Sequence, residues 1–425
     1  MGNQIDQSNS NVLTINANGE NTYSNVSNVL KPLNYKKIWV GNCQTFALDY
    51  KDNLYSWGLN DYFQLGNKKN TEYIFNKEKE SKNKKTKIYD TFKCLKTIFP
   101  IPGNKIRKIS TGDGFTLFLT KEGKVYSLGK NNKCQLGYQL PFNQSEIING
   151  SKCSKIPNEI EYFSKNNIFI VNIFSGSDFS FAEDNKGTFY SWGCNEHSQL
   201  ARSNNNKTKY EILPSKADLI PNDITIEIFT CGWMHCIVKS YSGDLFIWGN
   251  LFYDYDTRYK DIIIPEKIDL NDKKVIGISS GFHHICFICS YFNQNELYSF
   301  GVNDCGQLGY ISNSVICEVP KKVEFPLKKN ISQVSCGAFH TICKMSDESV
   351  YGFGQNEHRE VGLYQSDKIN YPSLVNWINE NDNKSILRIL CGNGFTYILK
   401  VNKGNYKIND KDDDDYTREY SNINS

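Results

Sequence analysis

Two histidines and two cysteines stand close together in the second half of the sequence. His283 and His284 are adjacent, and Cys286 and Cys289 form a C-x-x-C pair directly after them. Nitrogen and thiolate ligands at such short spacing are typical of zinc sites. The surrounding apolar pattern is that of a β-strand, however, and residues three apart in a strand point to opposite faces. Four ligands would not converge there, so we predict no metal and no cofactor.

One of these histidines belongs to a recurring set. His235, His284 and His340 each stand three residues after a glycine. A residue type that recurs at one position of a repeat indicates a structural role, and we predict a hydrogen bond between neighbouring repeats. His283 does not recur in this way, which makes it a candidate for a surface contact with a partner.

Two aspartates follow glycines of the same kind. Asp113 comes one residue after Gly112, and Asp178 comes two residues after Gly176. Each carboxylate could accept N–H bonds within its own loop, or it could face a partner as negative charge. The sequence shows no phosphate-binding loop, catalytic triad or paired-carboxylate arrangement, so no covalent chemistry is expected.

These residues are positioned by a short glycine box that occurs seven times. The spacings between the box glycines are 71, 64, 56, 49, 56 and 55 residues. Each box leads into an apolar strand, a turn and a second strand that ends in an apolar or aromatic residue plus glycine; a Gln-Leu-Gly loop often follows. Backbone crowding or a positive φ where strands converge would require glycine in the box. The seven box glycines are Gly41, Gly112, Gly176, Gly232, Gly281, Gly337 and Gly392.

Each repeat predicts one small antiparallel sheet, and radial packing of such sheets gives a propeller. The sequence has seven glycine boxes but only six clear strands that end in an apolar or aromatic residue plus glycine. Residues 12–18 have the form of a degenerate seventh strand. We therefore predict an all-β, seven-bladed β-propeller, closed by pairing of the N-terminal strand with the C-terminal segment. Such a closure leaves no free sheet edge between the chain ends.

The composition sets further expectations. The propeller should span 11–408, with a Lys- and Asn-rich insertion loop at 67–93, a disordered polar tail at 1–10 and an acidic disordered tail at 409–425. The 14 cysteines and the lack of a signal peptide favour a reducing intracellular compartment. A net charge of +3 argues against general nucleic-acid affinity, and no apolar run is long enough to span a membrane.

With the glycine boxes and the Gln-Leu-Gly strands in hand, the chain resembles the regulator of chromosome condensation family over about residues 12–400. Propellers of this family include exchange factors for the small GTPase Ran, ubiquitin ligases and adaptors. The resemblance implies acidic contact residues at Asp113 and Asp178, and it matches a double histidine at His283 and His284. The loop at 138–156 falls where the exchange factor carries a wedge that enters the GTPase.

The chain also departs from the family pattern. Asn393 and Phe395 occupy the last box where the family would have a functional histidine, and the strand ending at Trp248-Gly249 lacks the Gln-Leu-Gly loop. The basic N-terminal tail used on chromatin is missing, which argues against direct DNA binding. The resemblance implies a monomeric guanine-nucleotide exchange factor, cytoplasmic or nuclear, for a Ran-like small GTPase. The alternative is a non-catalytic propeller scaffold for protein–protein interaction.

Overall fold

The computed structural model describes most of the repeat region. Both predicted tails and residues 67–89 of the predicted insertion lie outside the described residues, so those boundaries remain predictions. No helix in the described part is long and apolar enough to cross a membrane. The described residues are 12–15, 35–49, 51–66, 90–94, 101, 105–140, 145–203, 208–252, 261–271, 273–291, 294–363, 366–375 and 384–402.

The described strands form antiparallel sheets in chain order, as the repeats predict, and the all-β propeller is confirmed. Three sheets come first, with one short helix after the second. Sheet 1 consists of β2 (Tyr35–Val40), β3 (Gln44–Asp49), β4 (Leu54–Gly58) and β5 (Asp90–Cys94). Sheet 2 consists of β6 (Ile106–Thr111), β7 (Phe115–Thr120), β8 (Val125–Lys130), β9 (Ser145–Ile148) and β10 (Ser151–Glu159), followed by α1 (Glu161–Lys165). Sheet 3 consists of β11 (Ile170–Ser175), β12 (Phe179–Asp184), β13 (Phe189–Cys194) and β14 (Tyr210–Lys216).

Three more four-stranded sheets follow. Sheet 4 consists of β15 (Ile226–Cys231), β16 (Met234–Ser240), β17 (Leu245–Asn250) and β18 (Ile262–Ile268). Sheet 5 consists of β19 (Lys274–Ser280), β20 (His284–Tyr291), β21 (Gln294–Val302) and β22 (Ile316–Lys322). Sheet 6 consists of β23 (Ile331–Cys336), β24 (His340–Met345), β25 (Val350–Gln355) and β26 (Lys368–Leu374).

Six blades of four or five strands are thus complete in the described residues, fewer than the seven that the repeat count predicted. The remaining strands, β1 (Val12–Ile15), β27 (Lys384–Cys391) and β28 (Thr396–Asn402), form a smaller three-stranded sheet. In it β1 pairs antiparallel with β28, and Val12 lies opposite Leu399. Residues 12–15 and 384–402 therefore share one sheet.

The end of the predicted insertion loop 67–93 lies among the described residues. Residues 90–93, its last four, lie in β5, where Tyr55 of β4 is paired with Cys94.

A chain of backbone hydrogen bonds links the boxes of successive sheets. In each link, the residue directly after a box glycine donates its N–H to the carbonyl of its counterpart in the next sheet. The last link runs from the three-stranded sheet back to sheet 1. The donor–acceptor pairs are Asp113–Ser177 (2.8 Å), Ser177–Trp233 (3.3 Å), Trp233–Phe282 (3.2 Å), Phe282–Ala338 (3.2 Å), Ala338–Asn393 (3.2 Å) and Asn393–Asn42 (2.7 Å).

Crowding explains the box glycines. A Cβ on Gly281 would lie 2.2 Å from Cε1 of His284 and 2.5 Å from the carbonyl oxygen of Gly337 in the next sheet. None of the seven box glycines has a positive φ. In six of the seven boxes glycine is required because the side chain three residues later packs over it, and at Gly41 because the side chain of Thr111 in the next sheet lies against it.

Gln-Leu-Gly loops join sheets 1, 2 and 5 to the sheets that follow them. A hydroxyl on the second strand of the following sheet donates to the glutamine carbonyl of the loop, as Thr116 does to Gln64 (2.8 Å) and Thr341 to Gln307 (2.9 Å). In sheet 5 this position holds Ile285, and the preceding sheet 4 has no Gln-Leu-Gly loop after β17. Sheet 4 thus lacks the loop that supplies the carbonyl acceptor elsewhere, and sheet 5 lacks the hydroxyl that would donate to it.

Candidate functional site

Asp113 and Asp178 come together on the end of the propeller that carries the box turns. Both carboxylates approach the ammonium of Lys130, the last residue of β8: its Nζ lies 2.8 Å from Oδ2 of Asp113 and 3.3 Å from Oδ1 of Asp178. Gln135 donates its side-chain amide to the same oxygen of Asp178 at 2.8 Å. Two aspartates that are 65 positions apart in the sequence therefore share one cation.

The cluster is partly removed from water, which strengthens its electrostatics. The side chain of Asp178 is 11% exposed and that of Asp113 is 33% exposed. Burial raises the pKa of Asp178, and the charge of Lys130 opposes that rise. Burial would lower the pKa of Lys130, but Asp178 and Asp113 outweigh it and the pKa is raised. Two carboxylates and one ammonium leave a net negative charge, which could attract a cationic group of a partner.

A β-hairpin rises directly beside this cluster. Cys153 of β10 is paired with Lys130, and β10 then continues past the end of β8 to pair with β9. The hairpin turn at Asn149 and Gly150, both with positive φ, lies about 10 Å beyond Lys130 at the usual rise per residue. Ile147 near its tip is 74% exposed. The predicted wedge segment 138–156 thus contains a projecting hairpin.

Aromatic side chains occupy the neighbouring boxes. The ring of Trp233 lies 4.5 Å from that of Phe282, which lies 5.6 Å from that of Phe339. All three are half-buried. Sequence reasoning missed this aromatic arc, although the signal was available: each residue stands one or two positions after a box glycine.

A central cavity of about 310 Å³ opens between the boxes. The innermost strands of all seven sheets line it, and the aromatic arc contributes Trp233 and Phe282. Asp113 also lines it, as do Lys108 and Arg388. The cavity therefore connects the acidic cluster with the aromatic arc.

His283 is not at the surface, and the prediction of a surface contact there is wrong. The residue is 5% exposed, and its Nδ1 lies 3.1 Å from the carbonyl oxygen of Leu251. Leu251 belongs to the turn after β17, where the Gln-Leu-Gly loop is absent. The altered turn brings its backbone over the histidine, which a local pattern could not reveal.

The three recurring histidines each reach the next sheet. The Nε2 atoms of His235, His284 and His340 lie 2.7, 3.0 and 3.0 Å from a hydroxyl oxygen there. The rings are fully buried, and their Nδ1 atoms have no hydrogen-bond partner. The hydroxyls belong to Ser280, Thr341 and Thr396, in that order.

This burial makes stability depend on pH. Burial lowers the pKa of His340 from 6.5 to about 3. As pH falls, the unfolded chain therefore takes up a proton at a higher pH than the folded chain does. The neutral buried ring makes its full contribution to the unfolding free energy above pH 6.5, and this contribution is lost as pH falls towards 3. At pH 5 the loss relative to pH 7 is about 2 kcal/mol for one such histidine. His340→Gln should reduce the pH 7-to-5 loss of unfolding free energy, measured in urea, by that amount.

His235 provides the comparison, because burial lowers its pKa to about 3 as well. His235→Gln should therefore reduce the pH 7-to-5 loss of unfolding free energy by a similar amount. An equal pH dependence in His340→Gln and in the parent chain would show that protonation of the buried ring does not drive the acid loss.

The C-x-x-C cysteines face opposite sides of β20, as the strand period predicts. Cys286 packs in the apolar core towards sheet 6, and Cys289 packs in the core towards sheet 4. The structure does bring His284, Cys286 and Cys336 within 4.8 Å of one another, all buried. These atoms offer three soft ligands for a metal ion. The unpartnered Nδ1 of His284 does not mark a special site, however, because it recurs in His235 and His340.

The fold and the box geometry define a β-propeller of repeated sheets, and comparison with known proteins gives its family. The RCC1-like domain model matches residues 9–398, so the chain belongs to the RCC1-like domain family. This bears out the resemblance stated from the repeat motifs.

Individual relatives differ in what they do. The chain is 28% identical over 332 residues to the ultraviolet-B receptor UVR8 of Arabidopsis thaliana, covering 76% of this chain and 65% of the receptor, less than two thirds of its length. It is 25% identical over 402 residues to the guanine nucleotide exchange factor SRM1 of Saccharomyces cerevisiae, covering 88% of this chain and 79% of SRM1. The crystal structure of Prp20p from the same yeast has the same fold, with a TM-score of 0.66, 21% identity and coverage of 87% and 83%.

Proposed function

We propose that this propeller is a guanine-nucleotide exchange factor for a Ran-like small GTPase, which it binds as a monomer through the face that carries the box turns. The observation that supports the proposal most is the cluster of Asp113, Asp178 and Lys130 beside the projecting hairpin β9–β10. The relative SRM1 is named as an exchange factor, and the Prp20p structure was reported with its binding to Gsp1p and histones.

Exchange requires no nucleophile. The factor must bind the nucleotide-free GTPase more tightly than the loaded one, because nucleotide and factor then weaken each other's binding. The carboxylates of Asp113 and Asp178 would attract a cationic side chain that otherwise holds the nucleotide's phosphates. Lys130 holds the two carboxylates in place before the partner arrives, which reduces the cost of ordering them on binding. The exposed Ile147 near the hairpin tip would insert into the GTPase surface.

The test is release of fluorescent GDP from purified Ran at substoichiometric propeller. We expect acceleration by the parent chain and loss of most of it in Asp113→Ala/Asp178→Ala. Glu122→Gln is the matched control, because Glu122 lies at the opposite end of sheet 2, in the turn between β7 and β8, where it pairs with Lys105. No acceleration by the parent chain, or equal acceleration by the double variant, would contradict the proposed mechanism.

The alternative is a scaffold that binds a partner without exchange activity. The departures at Asn393 and Phe395 favour it, because the last box contributes a half-buried phenylalanine where the family would have a functional histidine. Ran binding without GDP release would support the scaffold. Loss of that binding in the double variant would show that the same face is used.

A further inference from the structure

Sheet 4 contains a pair of cysteines that face each other across two strands. Cys231 ends β15 and is the register partner of Cys236 in β16. Their Sγ atoms are 3.7 Å apart. The corresponding positions of sheet 6 and of the three-stranded sheet pair a cysteine with a threonine instead, at 4.0 Å (Cys336–Thr341) and 3.6 Å (Cys391–Thr396).

The backbone geometry of the pair suits a disulfide. The N–H of Gly232 donates to the carbonyl of His235 at 2.9 Å, so these two residues form a hydrogen-bonded pair beside the turn. Pairs alternate along an antiparallel ladder, so Cys231 and Cys236 form a non-hydrogen-bonded pair, with Cα atoms about 4.5 Å apart. Disulfides span Cα distances of about 4.4–6.8 Å. The bond can therefore form without separating or shifting the two strands.

The two thiols differ in access. Cys231 is half-buried and lines the central cavity, whereas Cys236 is fully buried. Burial also raises the pKa of the Cys236 thiol. A small oxidant that enters the cavity therefore meets Cys231 first, and Cys236 is placed to react with the product.

We propose that Cys231 and Cys236 are a dithiol oxidation site that hydrogen peroxide converts into an intrachain disulfide. The thiolate of Cys231 attacks the O–O bond, which gives a sulfenic acid and releases hydroxide. The sulfur of Cys236 then attacks the Cys231 sulfur, and the second oxygen leaves as water with the Cys236 proton. Two thiols and one hydrogen peroxide thus give one disulfide and two waters; the sulfurs are oxidised and the peroxide is reduced.

The disulfide would restrict the turn that holds Trp233, one of the three residues of the aromatic arc. Trp233 lies in the four-residue turn between the two cysteines, and its backbone donates to Phe282 in the chain of box hydrogen bonds. A disulfide across the base of this turn restricts its opening. Disulfide formation depends on the geometry of the two cysteines and not on exchange activity.

The test treats the native full-length chain with hydrogen peroxide, alkylates the remaining thiols and maps the digest by mass spectrometry. We expect a peptide cross-linked between Cys231 and Cys236, while Cys391, whose register partner is Thr396, is recovered as an alkylated thiol. In Cys236→Ser, dimedone should trap a sulfenic acid at Cys231. Thr396→Cys should give a second cross-link, to Cys391, because it reproduces the same pair in the three-stranded sheet.

Two results would overturn the proposal. One is recovery of both cysteines as free thiols after peroxide treatment, with the far-ultraviolet circular dichroism of the propeller unchanged. The other is a cross-link that forms only when the chain is oxidised in urea, because the native register would then play no part in it.

Discussion

Lys239→Met should lower the free energy of unfolding by about 3–5 kcal/mol, the range for a buried ion pair that loses one partner. Lys239 is 2% exposed, and its ammonium contacts the carboxylate of Glu227, whose side chain is 9% exposed. Glu227 is the extra residue of the β-bulge in β15, directly before Ile228, which is paired with Lys239. Without the lysine, a carboxylate remains desolvated and unneutralised. Urea unfolding at pH 7 measures the loss.

Two controls separate the buried charge from lost packing. Lys322→Met removes the partner of Glu296 in a pair whose lysine side chain is 42% exposed, and it should cost no more than about 1 kcal/mol. The double variant Lys239→Met/Glu227→Leu should recover most of the stability, because neither charge is then buried alone. A double variant as unstable as Lys239→Met would show that shape, not charge, determines the effect.

Gly281→Ala should also be strongly destabilising, at the upper end of the ~1–3 kcal/mol typical of overpacking. The new Cβ would lie 2.5 Å from the backbone oxygen of Gly337 and 2.2 Å from the ring of His284. The oxygen belongs to the next sheet, and the ring is buried and hydrogen-bonded to Thr341, so neither can move without opening the contact between sheets. The midpoint of thermal or urea unfolding should fall accordingly.

Gly394→Ala is the matched control, since Gly394 lies two residues after another box glycine and a Cβ there would meet no atom within 4 Å. This substitution should leave stability within about 0.5 kcal/mol of the parent chain. Similar losses in the two variants would contradict the crowding argument and indicate a general requirement for flexible box turns.

Local pattern was sufficient for the repeated features. The period of two in β20 placed Cys286 and Cys289 on opposite faces of the sheet, because successive side chains of any strand alternate. The recurring box glycine predicted convergence of backbones, and the clash of a Cβ at Gly281 with the carbonyl oxygen of Gly337 has that origin. Both conclusions depend only on residues that are close together in the chain.

The sequence alone determined the all-β repeat, the positions of its glycine boxes and the recurring histidine three residues after a box glycine, because each of these is a short-range pattern. The tertiary structure decided that Asp113 and Asp178 share Lys130, that the turn at Leu251 covers His283, and that the cysteines of sheet 4 lie within reach of each other. The physical reason is that the propeller places equivalent positions of neighbouring sheets side by side. Which side chains then meet depends on turns and register that no single repeat encodes.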